Sequence, residues 1–309
     1  MKQGHDRVLL NASEGDSVTG TDVQVKPVTG QPALLLERGT DRVIVIADLH
    51  LGWEVTLARQ GIHVPSQVPR LLEKLQKIIW ETAARKVILL GDVKHAVSKV
   101  ELEEWRYVPE FFDKLVKAVP EVEVVPGNHD GNLEALVPPT VKISKSEGIV
   151  QWDSVGLMHG HAWPNPSLLG CKYLVMGHLH PVVAFTDPLG FRITRQVWVR
   201  TQTNGRKLAE GVLKHEGVKF VPGADPIKKA RDEFKVDIIR AADCIIVPSF
   251  NDYLGGQPVN RPLSEEMPNL KEYLGPLLQS GAVELDQGEA YLFDGTFLGK
   301  IEQLRQLAR

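Results

Sequence analysis

The sequence predicts an α/β fold, and three observations carry that prediction. A short apolar run ending in polar, ligand-type residues recurs five times: VIVIADLH (43–50), VILLGD (87–92), VEVVPGNHD (122–130), VGLMHGH (155–161) and YLVMGHLH (173–180). Val/Ile/Leu runs of this kind, bounded by Gly or Pro, are the pattern of central strands buried on both faces. The intervals between the first three runs carry apolar residues at helical spacing, so the order is strand–helix–strand–helix–strand. In such units a ligand site forms at the carboxyl ends of the strands, where this chain places its Asp, Asn and His residues.

Taken in order, residues 1–21 are polar and receive no element. DVQVKPVTGQPALLLE (22–37) reads as a hairpin turning at Thr29–Gly30. After the first strand, Ser66 is placed to cap a helix whose apolar positions are Val68, Leu71, Leu72, Leu75, Ile78 and Ile79. After the second, Leu102, Trp105, Phe111, Phe112, Leu115 and Val116 predict a helix ending before Pro120. Beyond His180 the pattern becomes alternating in 191–202 and 217–222, as in antiparallel strands. A charged amphipathic stretch (226–242) leads to another buried run, CIIVPSFN (244–251). The remainder, 257–309, reads as a Pro-rich loop, a helix, a hairpin at 283–298 turning around Gln287–Gly288, and a terminal helical turn.

Composition narrows the class. A chain of 309 residues can bury a sizeable core, and 43% hydrophobic with 24% charged residues is ordinary for a soluble globular protein. No apolar run approaches the roughly 18 to 20 residues of a membrane helix, and the amino terminus lacks a signal pattern, so a cytoplasmic protein without membrane contact is expected. Cys171 and Cys244 are the only two cysteines and form no CxxC pair, which excludes disulfide scaffolds, zinc ribbons and thioredoxin-like motifs. They read as buried small hydrophobes. The net charge of −3 is not that of a basic duplex-binding module. Divalent ions held in one cleft would nevertheless concentrate positive charge there.

The polar residues at the strand ends are Asp48, His50, Asp92, Asn128, His129, His159, His178 and His180. All offer oxygen or nitrogen, a donor set suited to Mn, Fe, Zn or Co rather than to a thiolate site. Asp48 and His50 are two residues apart, as are His178 and His180, so in an extended segment both members of each pair face one side. The ordered set DLH, GDVKH, GNHD, HGH and GHLH resembles the calcineurin-like metallophosphoesterase superfamily. That resemblance implies a four-layer α-β-β-α sandwich with a two-metal site at the strand ends. It places Asp48, His50 and His180 on the first metal, Asn128, His159 and His178 on the second, and Asp92 between them. His129 matches the catalytic histidine, with Asp130 as its orienting partner and His161 further out. Two divalent ions are implied as cofactors, Mn foremost, with Fe, Zn or Co as alternatives. No GxSxG or Walker pattern offers a different route.

A narrower resemblance covers 33–256. ADLHLGWE with RQGIHVP, GDVKH, GNHD, GHLHP and IIVPSFNDYLGG are similar to the SbcD-related archaeal phosphoesterases and the bacterial ligase-associated DNA-damage endonucleases. It implies a metal-dependent nuclease acting on DNA or RNA beside repair machinery, with a helicase or ligase as partner. The departures are an insertion at about 203–240 within a domain spanning 22–256, and a C-terminal extension, 257–309, expected to pack on that core. Lys94, Lys99, Arg106, Lys142 and Lys145 are candidate exposed cations for a polynucleotide, and Trp53 and Trp163 are placed to stack on bases or to fill the core. The competing readings are a phosphoesterase for a small nucleotide or phosphorylated metabolite, and a binding subunit of the same fold. The complete set of motif residues argues against the last.

Overall fold

In the computed structural model, residues 22–97, 100–187, 189–219, 221, 223–238, 241–261 and 274–307 are described. The amino-terminal stretch 1–21, the span 262–273 and Lys99 lie outside them. Among the described residues, no helix is long and apolar enough to cross a membrane.

The first sheet runs in the order β1 (Gln24–Pro27), β2 (Leu34–Arg38), β3 (Asp41–Ala47), β4 (Lys86–Leu90), β5 (Glu121–Val125) and β6 (Lys142–Ile143). β1 and β2 form the expected hairpin, with Gly30 at φ +75° in the turn, and β3 to β6 are parallel. The second sheet contains β7 (Ile149–Gln151), β8 (Val155–Met158), β9 (Tyr173–Met176), β12 (Trp198–Gln202), β13 (Asp243–Ile246), β15 (Glu289–Tyr291) and β16 (Phe297–Lys300), in the order β16-β15-β12-β13-β9-β8-β7. A small third sheet pairs β10 (Pro181–Thr186) with β11 (Arg192–Gln196) and β14 (Gln257–Pro258).

The side-chain period of two along a strand sorts these runs into three cores. Ile44, Ile46, Val87, Leu89, Val122 and Val124 face α2 (Val68–Thr82) and α3 (Glu104–Ala118), which follow the short α1 (Trp53–Arg59). Their alternate neighbours Val43, Val45, Ile88 and Leu90 face Val155, Leu157, Val175 and Ile245 across the sandwich. On the far side, Met158, Met176, Val199 and Ile246 meet α4 (Gly205–His215) and α5 (Pro226–Phe234) through Leu208, Val212 and Ala230. The layers are therefore helix, sheet, sheet, helix, the four-layer α/β sandwich expected above.

Several local expectations change. All six predicted apolar positions of α2 are buried, but Gln67 stands at its boundary, and the Ser66 hydroxyl only accepts a 3.4 Å bond from the Val68 amide. α3 begins at Glu104, which leaves Leu102 outside it at 80% exposure and Trp105 at 52%, because the core-facing stripe starts at Val108. The alternating stretch 191–202 is two strands in different sheets, separated at Val197. Residues 217–219 are not a strand, and 220 and 222 lie outside the described residues. The amphipathic stretch from 226 is helical only to Phe234, where Lys235 turns left-handed. Near the carboxyl end the hairpin joins β15 to β16 through Asp294–Gly295, whereas Leu285–Gln287 is a 3₁₀ turn. The last helix, Ile301–Leu307, buries Ile301 and Leu304 against the second sheet.

Candidate metal centre

Strands β3, β4, β8 and β9 all end within one or two residues of a candidate ligand. The expected extended pairs do not form. Asp48, His50, Asp92, His178 and His180 all have φ between 45° and 69°. This left-handed region costs an L-residue roughly 1 to 2 kcal/mol. Five of the ten non-glycine residues found there among the described residues are these, so backbone strain is concentrated where side chains are forced together. The left-handed turns, not strand alternation, bring each DLH and HLH pair inward. Two glycines leave the room this needs: a Cβ on Gly91 would lie 2.5 Å from His159 Nδ1, and one on Gly127 would lie 2.2 Å from Asp92 Oδ1.

The result is two adjoining groups, Asp48 with His50 and His180, and Asp92 with His159 and His178, each with donor atoms within 4.8 Å of one another. Asp92 stands between them, with Oδ2 3.5 Å from His50 Nε2 and Oδ1 3.4 Å from His159 Nε2. Asp48 Oδ1, His50 Nε2 and His180 Nε2 are buried without a hydrogen-bond partner. Asp48 Oδ1 and His180 Nε2 approach to 3.2 Å, but not in hydrogen-bond alignment. Buried polar atoms left in this state are costly, and three of them converging on one point is a donor set that a divalent cation satisfies.

Electrostatics agree. Burial opposes a charge on His159, yet Asp92 and Asp48 beside it hold its imidazole up at about 10. Asp48 likewise raises His180 against its burial. Burial and the neighbouring His159 push His178 down to about 4, and burial holds His50 well below its usual value. Burial alone would raise Asp92, but the imidazoles around it hold it well below the carboxylate range. Two buried carboxylates thus favour positive charge beside them, raising both His159 and His180.

The remaining expected residues are distributed unevenly. Asn128 is exposed on the loop after β5. The backbone amide of His129 donates to Asp92 Oδ1 at 3.0 Å, its Nε2 lies 3.8 Å from Asp92 Oδ2, and its Nδ1 meets the carbonyl of His95. Asp130 does not take the orienting role given to it. Its oxygens accept from the amides of Val93 (2.9 Å), Lys94 (3.2 Å) and Gly127 (2.8 Å), tying the GDVKH and GNHD loops together, and burial raises it to about 6. His161 is half-buried, 5.2 Å from His159 ring to ring, with Nδ1 unpartnered.

His95 was missed in the sequence. It forms a third group with His50 and His129, its Nδ1 3.3 Å from that of His50. The signal was present in GDVKH, three residues past Asp92. Lys94, expected at the surface, is fully buried with its ammonium on the Ala96 carbonyl. Lys142, Arg106 and Lys145 are exposed as expected, and Lys142 also pairs with Glu123 at 2.8 Å. Trp163 packs against Gly211 of α4, and Trp53 stacks on Tyr253 with ring centroids 6.1 Å apart. The segment after β13 buttresses the DLH turn: the Ser249 hydroxyl donates to the Asp48 carbonyl at 2.9 Å, and Asn251 Nδ2 to that of Leu49 at 3.0 Å.

A four-layer sandwich with paired His–carboxylate groups at the ends of its inner strands is the arrangement of a metal-dependent phosphoesterase. The chain belongs to the calcineurin-like phosphoesterase family, whose model matches residues 41–242. Among solved structures it is similar to the Pseudomonas putida nuclease MPE, at 17% identity over 88% of this chain and 98% of that one, with a TM-score of 0.45. It is also similar to YfcE, a phosphoesterase from E. coli, at 20% identity over 47% of this chain and 73% of that one, with a TM-score of 0.31. No curated protein matches it.

Proposed function

We propose that this phosphoesterase is a two-metal phosphodiesterase that cleaves nucleic acid, DNA or RNA, with Mn²⁺ as the supporting ion and Fe, Zn or Co as substitutes. The observation that carries the two-metal reading is Asp92 standing between two groups of buried donors, one of which has three unpartnered atoms. Asp48, His50 and His180 would hold one ion, Asn128, His159 and His178 the other, and Asp92 both. Divalent ions there supply Lewis acidity toward a phosphoryl oxygen and an acidified attacking water. The chain's own residues do the rest. The Leu90 carbonyl, 2.7 Å from His159 Nδ1, turns His159 Nε2 toward Asp92. His129, fixed through Nδ1, presents Nε2 above Asp92; it keeps the Nδ1 proton on the His95 carbonyl, takes up a second proton from solvent at Nε2, and passes that one to the leaving oxygen.

Support for a polynucleotide comes from the motif run DLHLGWE through IIVPSFNDYLGG and from two exposed residues in the first turn of α3. Exposed Trp105 and Arg106 follow Glu104, whose carboxylate holds the His95 loop, and an aromatic ring beside a guanidinium suits a base and its phosphate. A repair helicase or ligase as partner belongs to the same proposal. One observation favours the alternative of a small nucleotide or phosphorylated metabolite: Lys94 is buried and Lys142 is paired, which shortens the cationic track.

The test is a metal-screened hydrolysis panel of bis(p-nitrophenyl) phosphate, single- and double-stranded DNA, RNA, and mononucleotides. Oligonucleotides should be cut with Mn²⁺, and their binding should weaken steeply with salt as phosphate contacts release counterions. Efficient turnover of a nucleotide or sugar phosphate with no oligonucleotide cut refutes the nuclease reading.

A further inference from the structure

We propose that Glu104 is a positioning residue for His129, acting through the peptide plane between His95 and Ala96; the proposal rests on the phosphodiesterase reading above. Glu104 opens α3 yet is only 1% exposed. Among the described residues no lysine, arginine or histidine pairs with it, and backbone amides take up its carboxylate instead. Oε1 accepts from the amides of His95 at 2.9 Å and Ala96 at 2.6 Å, and Oε2 from that of Glu101 at 3.0 Å. The Glu101 bond is a capping contact for its own helix. The two at Oε1 reach away from the helix into the loop after Asp92.

The geometry of one peptide turns this into an effect on His129. In a trans peptide the N–H and C=O point in opposite directions, and no cis bond occurs among the described residues. Aiming the Ala96 N–H at Glu104 therefore aims the His95 C=O the other way, and there it meets His129 Nδ1. A carbonyl only accepts, so Nδ1 carries the proton and Nε2 is the atom left to face Asp92 Oδ2, 3.8 Å away. A carboxylate on one end of a hydrogen-bonded peptide also polarises it and strengthens the bond at the other end. Gly52 closes the arrangement from above, since a Cβ there would lie 3.2 Å from Glu104 Cγ. The relay is what Asp130, occupied by three amides of its own, does not provide.

Two variants separate charge from shape: Glu104→Gln keeps an acceptor for both loop amides but loses the charge, and Glu104→Ala removes the acceptor. In the full-length chain, both metal-free and loaded with Zn²⁺, side-chain ¹⁵N spectra should show His129 protonated at Nδ1. That preference should weaken in Glu104→Gln and vanish in Glu104→Ala. On a dinucleotide, kcat should fall about 10- to 100-fold, the scale of losing a partner that orients a site imidazole, with KM and metal content unchanged. In a His129→Ala background the same change should cost nothing further. An unaltered His129 tautomer overturns the relay, and so does a Glu104 loss that persists in the His129→Ala protein. If His129→Ala turns over normally, the part given to His129 in the reaction falls and the relay with it. If His129→Ala is inactive while the Glu104 variants are unaffected, the relay alone falls. Should Glu104→Ala fail to fold, Glu104→Gln decides the question by itself.

Discussion

Replacing Gly127 with alanine adds one carbon at the point where Asp92 stands between the two groups of donors. The new Cβ would lie 2.2 Å from Asp92 Oδ1, 2.4 Å from the Asp92 amide nitrogen and 2.9 Å from His159 Nε2. Ordinary contact begins near 3.4 Å, so the Asp92 carboxylate must retreat by more than about 1 Å. Neither loop can open to absorb this, because the Asp130 carboxylate bonds the amides of both Gly127 and Val93. Overpacking of this kind costs about 1 to 3 kcal/mol of stability. A misplacement of about 1 Å in a reacting constellation costs on the order of 100-fold in rate. Gly131→Ala is the matched control from the same loop, since its nearest neighbour would be the Val97 carbonyl at 3.7 Å. Metal content by mass spectrometry, thermal midpoint, and kcat/KM on bis(p-nitrophenyl) phosphate should all fall for Gly127→Ala and stay near wild type for Gly131→Ala. If the two variants behave alike, with full metal occupancy in both, Asp92 is not the shared residue this geometry makes it.

Asp92→Asn should remove more metal and more activity than Asp48→Asn or His178→Ala, because its two oxygens face different groups, Oδ2 toward His50 and Oδ1 toward His159; unchanged occupancy in that variant would refute the shared role. At pH 7 the metal-free protein carries a second proton on His159, raised to about 10 by Asp92 and Asp48 against its burial, so metal binding there must displace it. Calorimetry in buffers of different ionisation enthalpy should show that release, with metal affinity weakening as pH falls below 7. Binding with no proton released would contradict it. Truncation after Gln257 should lower solubility or thermal stability although every proposed ligand remains. It strips Ala290, Ile301 and Leu304 from the outer core, together with Asn260, which makes two 2.9 Å bonds to the Ala184 backbone. A truncated protein of equal stability and activity that has lost a repair partner would instead make the extension a docking element.

The strands were legible because a Val/Ile/Leu run closed by GD, GNH or GHLH combines burial and chemistry in one short window. Burial of these runs on both faces was legible in the same way, and the structure divides their alternate residues between opposite layers. What could not be read was set by contacts distant in sequence. Lys94 is a charged residue in a polar segment and reads as surface until the fold seals it against the Ala96 carbonyl, and no local pattern marks Glu104, which the fold seals beneath the His95 loop. Leu102 and Trp105 fit the helical spacing of α3 but fall before its core-facing stripe, which no local pattern marks. The switch of sheets at Val197 leaves no trace in an alternation that continues through it. The left-handed backbone of Asp48 and His50 was equally hidden, because neither residue is a glycine and the bonds that hold the turn include those from Ser249 and Asn251, some 200 residues later.

The distribution of donors over the two sheets has a mechanical meaning. Asp48, His50 and Asp92 hang from strands of the first sheet, whereas His159, His178 and His180 hang from the second, so each group takes members from both. Neither of these two groups is complete within one sheet. Ions seated there act as rivets through the two plates of the sandwich, and loading them adds cross-sheet cohesion that scales with how far their concentration exceeds the dissociation constant. The group built on Asp48 and His50 gains its third member, His180, only when the two plates have closed on each other, so occupancy of that group would report that they have.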